Sequence, residues 1–323
     1  MNLRPSRLLL VCLLIAVLLG ACSGGSTASK PPLRFEYTQW WPDYTLLVAK
    51  EKGFFDKYGV NVEPVLYAGA EGYPQIFKDL PAKKVDGGLL AIGDALVTSQ
   101  SVDLKVVSVY DDGGTNTVVA LPEISAIADL KGKRIGVPVG TSYELFVRHM
   151  LASASLKPAD VTLVNLDPTE VAAHLTSKDI AAGYVWSVDM APGNRVIFQK
   201  TDAQGLFPDV IIFRAEVVKS RPEDIRAFLK AWFEAVEWRK ANPAETLEIV
   251  SKYTKTPVAQ ITPDNEIKIL NQSDNVTIFQ PTISGGSFSL PQAAQLNADF
   301  QKEAGFMPKP VDLSVFLDGS FLK

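Results

Sequence analysis

Cysteine and histidine are nearly missing from this chain: its 323 residues hold only Cys12, Cys22, His149 and His174. Cys12 sits inside an apolar N-terminal run that reads as a leader, so the mature chain would keep a single thiol. That excludes an internal disulfide and a thiolate metal site, and two histidines are too few for a histidine-based metal cluster. No metal and no cofactor is therefore expected. An excess of positive charge is missing as well, with 32 Lys and Arg against 36 Asp and Glu and a formal charge of -4. This acidic balance, without any basic stripe, argues against a nucleic-acid partner. Long apolar runs are also absent, since Leu8 to Leu19 is too short to span a bilayer comfortably. No repeat of roughly 20 to 50 residues appears, which excludes a solenoid.

What is present begins with a leader. Arg4 and Arg7 supply a positive start ahead of the apolar run, so residues 1–21 read as an export signal. Its removal leaves 30 basic residues against 36 acidic ones, a formal charge of -6. The junction Leu19-Gly20-Ala21-Cys22 resembles the lipobox of bacterial lipoproteins, which implies lipidation of Cys22 as the new N-terminus. Residues 22–32 are small and polar and read as a tether, with the folded part starting near Leu33 and held close to a membrane by its lipid.

The stretch from Arg34 to Pro64 organises the rest. Phe35 and Tyr37 alternate with polar residues as in a strand, and Val60-Asn61-Val62 begins another. Between them the spacing predicts one helix from about Tyr44 to Tyr58, with Asp43 as N-cap and Gly59 as stop. Strand, helix and strand make a βαβ unit, hence a parallel sheet. Its first loop, Gln39-Trp40-Trp41-Pro42-Asp43, must lie at the carboxyl ends of the strands, where open parallel sheets bind ligands. Two adjacent tryptophans do not fit one core together, so at least one is expected to face a cleft.

Further strands are expected at Gly87 to Ile92, Leu104 to Val109, Thr117 to Ala120 and Ile135 to Val139, then at Val161 to Asn165, Ala182 to Trp186, Val196 to Phe198 and Val210 to Phe213. The turn Leu130-Lys131-Gly132-Lys133-Arg134 restarts a strand and suggests a second domain. Thr141 with Glu144, and Ser220 with Glu223, fit capping boxes. After Arg214 the chain reads as mostly helical, with Trp232 in the core and Trp238 undecided. Helices are predicted near Pro243 to Tyr253, Pro263 to Leu270 and Leu290 to Ala304, returning to cover the first domain.

In this order and spacing, LLVAKEKGFFDKYGVNVEPV, GLLAIGDAL, DLKGKRIGVPVGTSYELF and GYVWSVDMAP resemble the solute receptors of ABC importers, in the group that takes sulfonates, taurine, nitrate and thiamine-pyrimidine precursors. The turn near Lys178-Asp179 and Ala181 departs from the family pattern, which would place glycine before the apolar residue and aspartate after it. The resemblance implies an α/β, two-lobed periplasmic-binding-protein fold of type II, with two crossovers near Val119 to Leu121 and Val210 to Phe213. Lobe 1 would comprise residues 33–119 and 212–323, and lobe 2 residues 120–211. It also implies a monomer that hands a small-molecule solute to a membrane permease and its ATPase. An enzyme of this fold makes the thiamine pyrimidine with a cysteine-rich motif, histidine and iron, for which this chain lacks the cysteines and histidines. A sensory lipoprotein with the same clamp remains a second alternative.

Site residues are expected on the strand-end loops: Gln39, Trp40, Trp41, Asp43, Gly69, Asp94 and Asp111 from the first lobe, and Thr141, Ser142, Tyr143, Trp186 and Asp189 from the second. Trp41 and Trp186 would offer ring faces, and Gly69 close backbone approach. Backbone N–H groups at Thr141 and Ser142 would favour an acceptor group, and the four aspartates would pair with an amine. Each aspartate also has a reading as a cap or turn residue, the stronger one for Asp94. These loops carry no Lys or Arg, which counts against a strongly anionic solute.

Overall fold

A computed structural model describes residues 30–68, 72–187 and 190–323. Residues 32–323 form one compact unit built on two five-stranded sheets. In the first half, Leu33–Tyr37 (β1), Val62–Leu66 (β2), Gly87–Ala91 (β3) and Leu104–Asp111 (β4) are followed by Thr117–Ala120 (β5) in the other sheet. The second sheet then collects Arg134–Val137 (β6), Thr162–Asn165 (β7), Ala182–Val185 (β8) and Arg195–Gln199 (β9) before Asp209–Arg214 (β10) returns to the first.

The orders are β2-β1-β3-β10-β4 and β7-β6-β8-β5-β9. β1 runs parallel to β2 and β3, and β6 parallel to β7 and β8, so the opening βαβ unit forms as the sequence implies. β10 and β5, each the first strand after a crossover, run antiparallel to both their neighbours. Strand pairing sets the crossovers at residues 112–116 and 200–208, each a few residues earlier than the sequence suggested.

The two crossovers touch. Gly113 holds φ 81°, a conformation that favours glycine, and any Cβ there would collide with the Phe207 carbonyl oxygen. Lys200 Nζ donates to Asp112 Oδ1 and to the Gly113 carbonyl, both at 2.6 Å, tying one crossover to the other.

Local departures from the sequence reading have identifiable causes. The expected helix from Tyr44 to Tyr58 splits into Thr45–Glu51 and Phe54–Lys57, because Gly53 turns left-handed at φ 70°. Phe54 and Phe55 are thereby turned into the core. Ser220 and Glu223 form no capping box: Ser220 ends its own helix, Ala215–Ser220, and its hydroxyl donates back to the Glu216 carbonyl. Residues 263–270 are not helical, and helix Gln272–Ile278 follows instead, capped by Asn271. At the turn that departs from the family pattern, Lys178 takes φ 58° itself, a left-handed conformation that glycine would adopt more easily.

Each sheet mixes parallel and antiparallel strands and carries an apolar cluster on each face. On the first, the returning helix Pro222–Ala241 packs against Thr45–Glu51 and Phe54–Lys57 on one face, while Leu290–Glu303 packs on helix Ile92–Thr98 on the other. Phe228 knots the first of these layers together. Fully buried, it has ring centroids of Phe35, Phe213 and Phe55 at 4.6, 5.3 and 5.4 Å and that of Trp232 at 6.1 Å. Phe228→Ala is expected to lower unfolding free energy by about 3–5 kcal/mol, read from urea denaturation, because it opens a cavity joining sheet and helices.

Candidate functional site

Between the sheets lies a cavity of about 1180 Å³. Its first wall is built where β1, β2 and β3 end, near the end of β4, and where β10 begins; its second lies at the ends of β6 and β8 and the start of β5. Antiparallel strands bring their first residues to the edge where parallel ones bring their last, so both walls come from the same end of each sheet. Residues 262–266, from the non-helical stretch, form part of the rim.

The tryptophan pair divides. Trp40 lines the cavity, with its indole edge against Gly114 of the first crossover and Nε1 donating to Asp111 Oδ2 at 3.2 Å. Trp41, expected to offer its face to a solute, turns away from the wall; the Arg239 guanidinium lies 4.7 Å above its ring. Arg239 also donates to the carbonyls of Trp41 and Pro42 and to Thr45 Oγ1, which fixes the loop from behind.

Asp43 does not cap a helix. Its Oδ2 accepts from the backbone N–H and hydroxyl of Thr38, at 2.8 and 2.7 Å, and closes the loop on itself. The carboxyl is buried at the cavity wall and Oδ1 has no hydrogen-bond partner. Gln39 lies beside it, exposed. Asp94 lines the floor without capping and accepts from the Tyr73 hydroxyl at 2.8 Å. Asp111 is fully buried behind Trp40 and off the wall, its Oδ1 accepting from Gly113 N–H.

Across the gap, Ser142 and Tyr143 line the cavity at the start of helix Ser142–Ser153. Tyr143 stacks on Tyr184 at 4.5 Å and meets Trp186 edge-on at 6.4 Å. Trp186 is 42% exposed at the cavity mouth. Thr141 stays behind the wall as N-cap, accepting from Tyr143 N–H, and Glu144 takes the N–H of Gly140 in place of Thr141's, so no regular capping box forms. Gly69, Asp189 and the lipidation candidate Cys22 lie outside the described residues.

Several wall residues escaped the sequence reading. Asp209 opens β10 and lies in register with Asp111 across the β4–β10 pair. Their carboxyl groups share a hydrogen bond, which needs a proton on one of them. Tyr110 reaches the wall in place of its neighbour Asp111, because successive strand residues face opposite ways. By the same alternation Tyr184 shares a face with Trp186, which was the available signal.

Burial dominates the electrostatics. It raises Asp43 to about 6 against the Thr38 hydrogen bonds, the nearby Tyr110 hydroxyl and the positive charge of Arg239. Asp111 rises to about 7, again through burial, and Asp209 is pushed well above the usual carboxyl range by burial and then by the Asp111 charge. Asp94 is raised by burial and lowered in part by Tyr73. Under the floor, Glu36 on β1 is also held well above its ordinary value by burial and the Asp43 charge; its Oε2 accepts from Leu89 N–H. Arg239 itself is lowered to about 9 by burial, against the pull of Asp43.

Carboxyls that titrate above their unfolded values oppose folding once ionised. The stability they permit is complete below the ordinary value of 3.8 and is lost as pH rises through about 6 for Asp43 and about 7 for Asp111. The solute-free protein should therefore melt at higher temperature in mildly acid than in mildly alkaline buffer. Asp209→Asn, whose amide can donate permanently to Asp111, should flatten that slope and raise the alkaline Tm. Each pKa unit removed is worth about 1.4 kcal/mol, or roughly 3–5 °C. Calorimetric melting across the pH range measures both.

Comparisons with known proteins agree on the architecture. The chain is 30% identical over 248 residues to a binding protein of Brucella abortus, covering 72% of this chain and 75% of that one. It is 25% identical over 237 residues to the taurine-binding periplasmic protein of Escherichia coli, covering 71% and 74%. Among solved structures, the periplasmic sulfonate-binding protein SsuA of Methylobacillus flagellatus superposes with a TM-score of 0.70 at 18% identity, over 91% of this chain and 93% of that one. The desulfurization enzyme DSZB shares the fold too, at a TM-score of 0.57, 18% identity and coverage of 91% and 98%. The fold is thus the two-lobed one of periplasmic binding proteins, and residues 42–246 match the family described as NMT1/THI5 like, to which this chain belongs.

Proposed function

We propose that this chain is the solute-binding receptor of an ABC importer. It is exported, anchored by lipid at Cys22, and takes a small nitrogen- or sulfur-containing organic solute into the cavity for delivery to a permease driven by its ATPase. One observation carries this reading: a single cavity is walled by strand-end residues of both sheets, between which the chain passes at two short crossovers. A solute that touches both walls stabilises the approach of the halves by its differential affinity for the closed arrangement. Gln39, Trp40, Asp43 and Asp94 meet it from the first wall, and Ser142, Tyr143 and Trp186 from the second. Asp111 and Thr141 act one layer back, by holding Trp40 and the helix start, and Trp41 holds the loop through Arg239.

Export fits the leader, and among the described residues no helix is long and apolar enough to cross a membrane. The protein works as a monomer and without nucleic acid. The named relatives that are binding proteins support reception over catalysis, although the fold itself serves both.

Solute binding should reduce the radius of gyration in small-angle scattering and shift the fluorescence of Trp40 and Trp186. Trp40→Ala should weaken binding by about 1–3 kcal/mol through loss of a ring contact and its tie to Asp111. Chromatography of the solute after incubation must return it unchanged. Conversion to a product would replace the receptor reading with an enzymatic one.

A further inference from the structure

The cavity wall is acidic and aromatic, and among its lining residues there is no Lys, Arg or His. Asp43, Asp94 and Asp209 form the floor, with Asp264 and Glu266 at the rim. The nearby cations make their hydrogen bonds elsewhere, Arg239 to backbone carbonyls behind the loop, from where its charge still reaches Asp43, and Lys200 to Asp112 and Gly113 in the crossovers. An anion would look to the N-terminus of helix Ser142–Ser153, but the chain has already brought its own carboxylate there. Glu144 Oε2 accepts from Gly140 N–H at 2.7 Å, and the Thr141 hydroxyl accepts from Tyr143 N–H. The buried Asp43 Oδ1, by contrast, makes no regular hydrogen bond, although the Tyr110 hydroxyl is a donor near the carboxyl.

An aromatic wall over an acidic floor that no basic side chain touches directly is complementary to a cation, because ring faces and carboxylates attract the same charge. We propose that the solute presents a positively charged nitrogen, a protonated amine or amidine, to Asp43, Asp94 and Asp209 beneath the rings of Trp40 and Tyr73. The assignment deepens the receptor reading and rests on it for the role of the cavity, while naming a ligand class opposite in charge to a sulfonate.

The Asp111–Asp209 pair faces Asp43 from the loop after β1, Asp94 and Tyr73 from the helices beside it, and Tyr110 from β4. With no basic side chain among the described wall residues, a proton keeps the pair together when the site is empty. When a cation arrives at Asp209, the ionised pair becomes the better state, and that proton leaves to the buffer. One positive charge enters as one proton departs.

Calorimetry of the whole protein tests this with benzamidine, tyramine and agmatine as cations, methanesulfonate and nitrate as oxyanions, and taurine as a zwitterion. At least one cation should bind, with a heat that depends on the ionisation enthalpy of the buffer and an affinity that falls about tenfold or more as pH drops through about 7 and about 6. Asp209→Asn should melt no lower than the parent yet bind that cation about tenfold or more weakly. Binding of methanesulfonate or nitrate with no cation bound overturns the ligand class, and so does silence from all three cations or an unchanged affinity in Asp209→Asn. A cation that binds and is chemically converted would instead remove the receptor reading and leave the ligand class standing.

Discussion

Two carboxyl groups that would repel each other in water are held face to face by backbone pairing. β10 enters the first sheet against the direction of β3 and β4, so its first residue reaches the edge where theirs are last, and Asp209 comes into register with Asp111. Neighbouring strands stand only about 5 Å apart, and a register shift between Asp209 and Val210 sets the pair at the last rung of the ladder. The pair must hold a proton or meet a cation. Trp40 is fixed by its bond to one member of that pair, and the adjoining crossover is turned by Gly113 bonding the same carboxylate.

The apolar layers make this arrangement possible. Phe228 and the aromatic rings around it bind sheet to helix on one face, and the layer between Ile92–Thr98 and Leu290–Glu303 covers the other. Within that frame, Glu36 and Asp43 can sit almost wholly out of water although burial disfavours their charge. Space for Glu36 is itself a packing choice, since a Cβ at Gly88 would stand 2.5 Å from Glu36 Oε2. Unfavourable groups gathered at one edge of a well-packed sheet mark the place where folding and binding want different things.

Much of the architecture was legible in the residues. The alternation in Phe35 and Tyr37, the crossover helix and Val62 identified a parallel unit, and Thr141 identified the start of the second half's first helix. The tryptophan pair implied that at least one ring would face a cleft, as Trp40 does, although both rings also rest against the same core, and residue type alone gave no sign of which would line the cavity; Arg239, almost two hundred residues away, holds Trp41 off it. Asp209 was invisible for a different reason. Strand ends can be read locally, but whether a strand runs with or against its neighbours depends on partners distant in the chain. The stretch from Pro263 to Leu270 carried a helical pattern, yet it is not helical; residues 262–266 became cavity rim, and the helix Gln272–Ile278 begins only after it.

The ammonium of Lys200 rivets two connecting segments that are far apart in sequence, and the missing side chain of Gly113 lets them lie in contact. Joined in this way, the two segments form one seam between the halves. A second seam is borne by the tail, where Arg148 pairs with Glu303 and lies over the Phe300 ring, and His149 meets Phe288 edge-on. Any rearrangement of one wall against the other has to satisfy both seams at once.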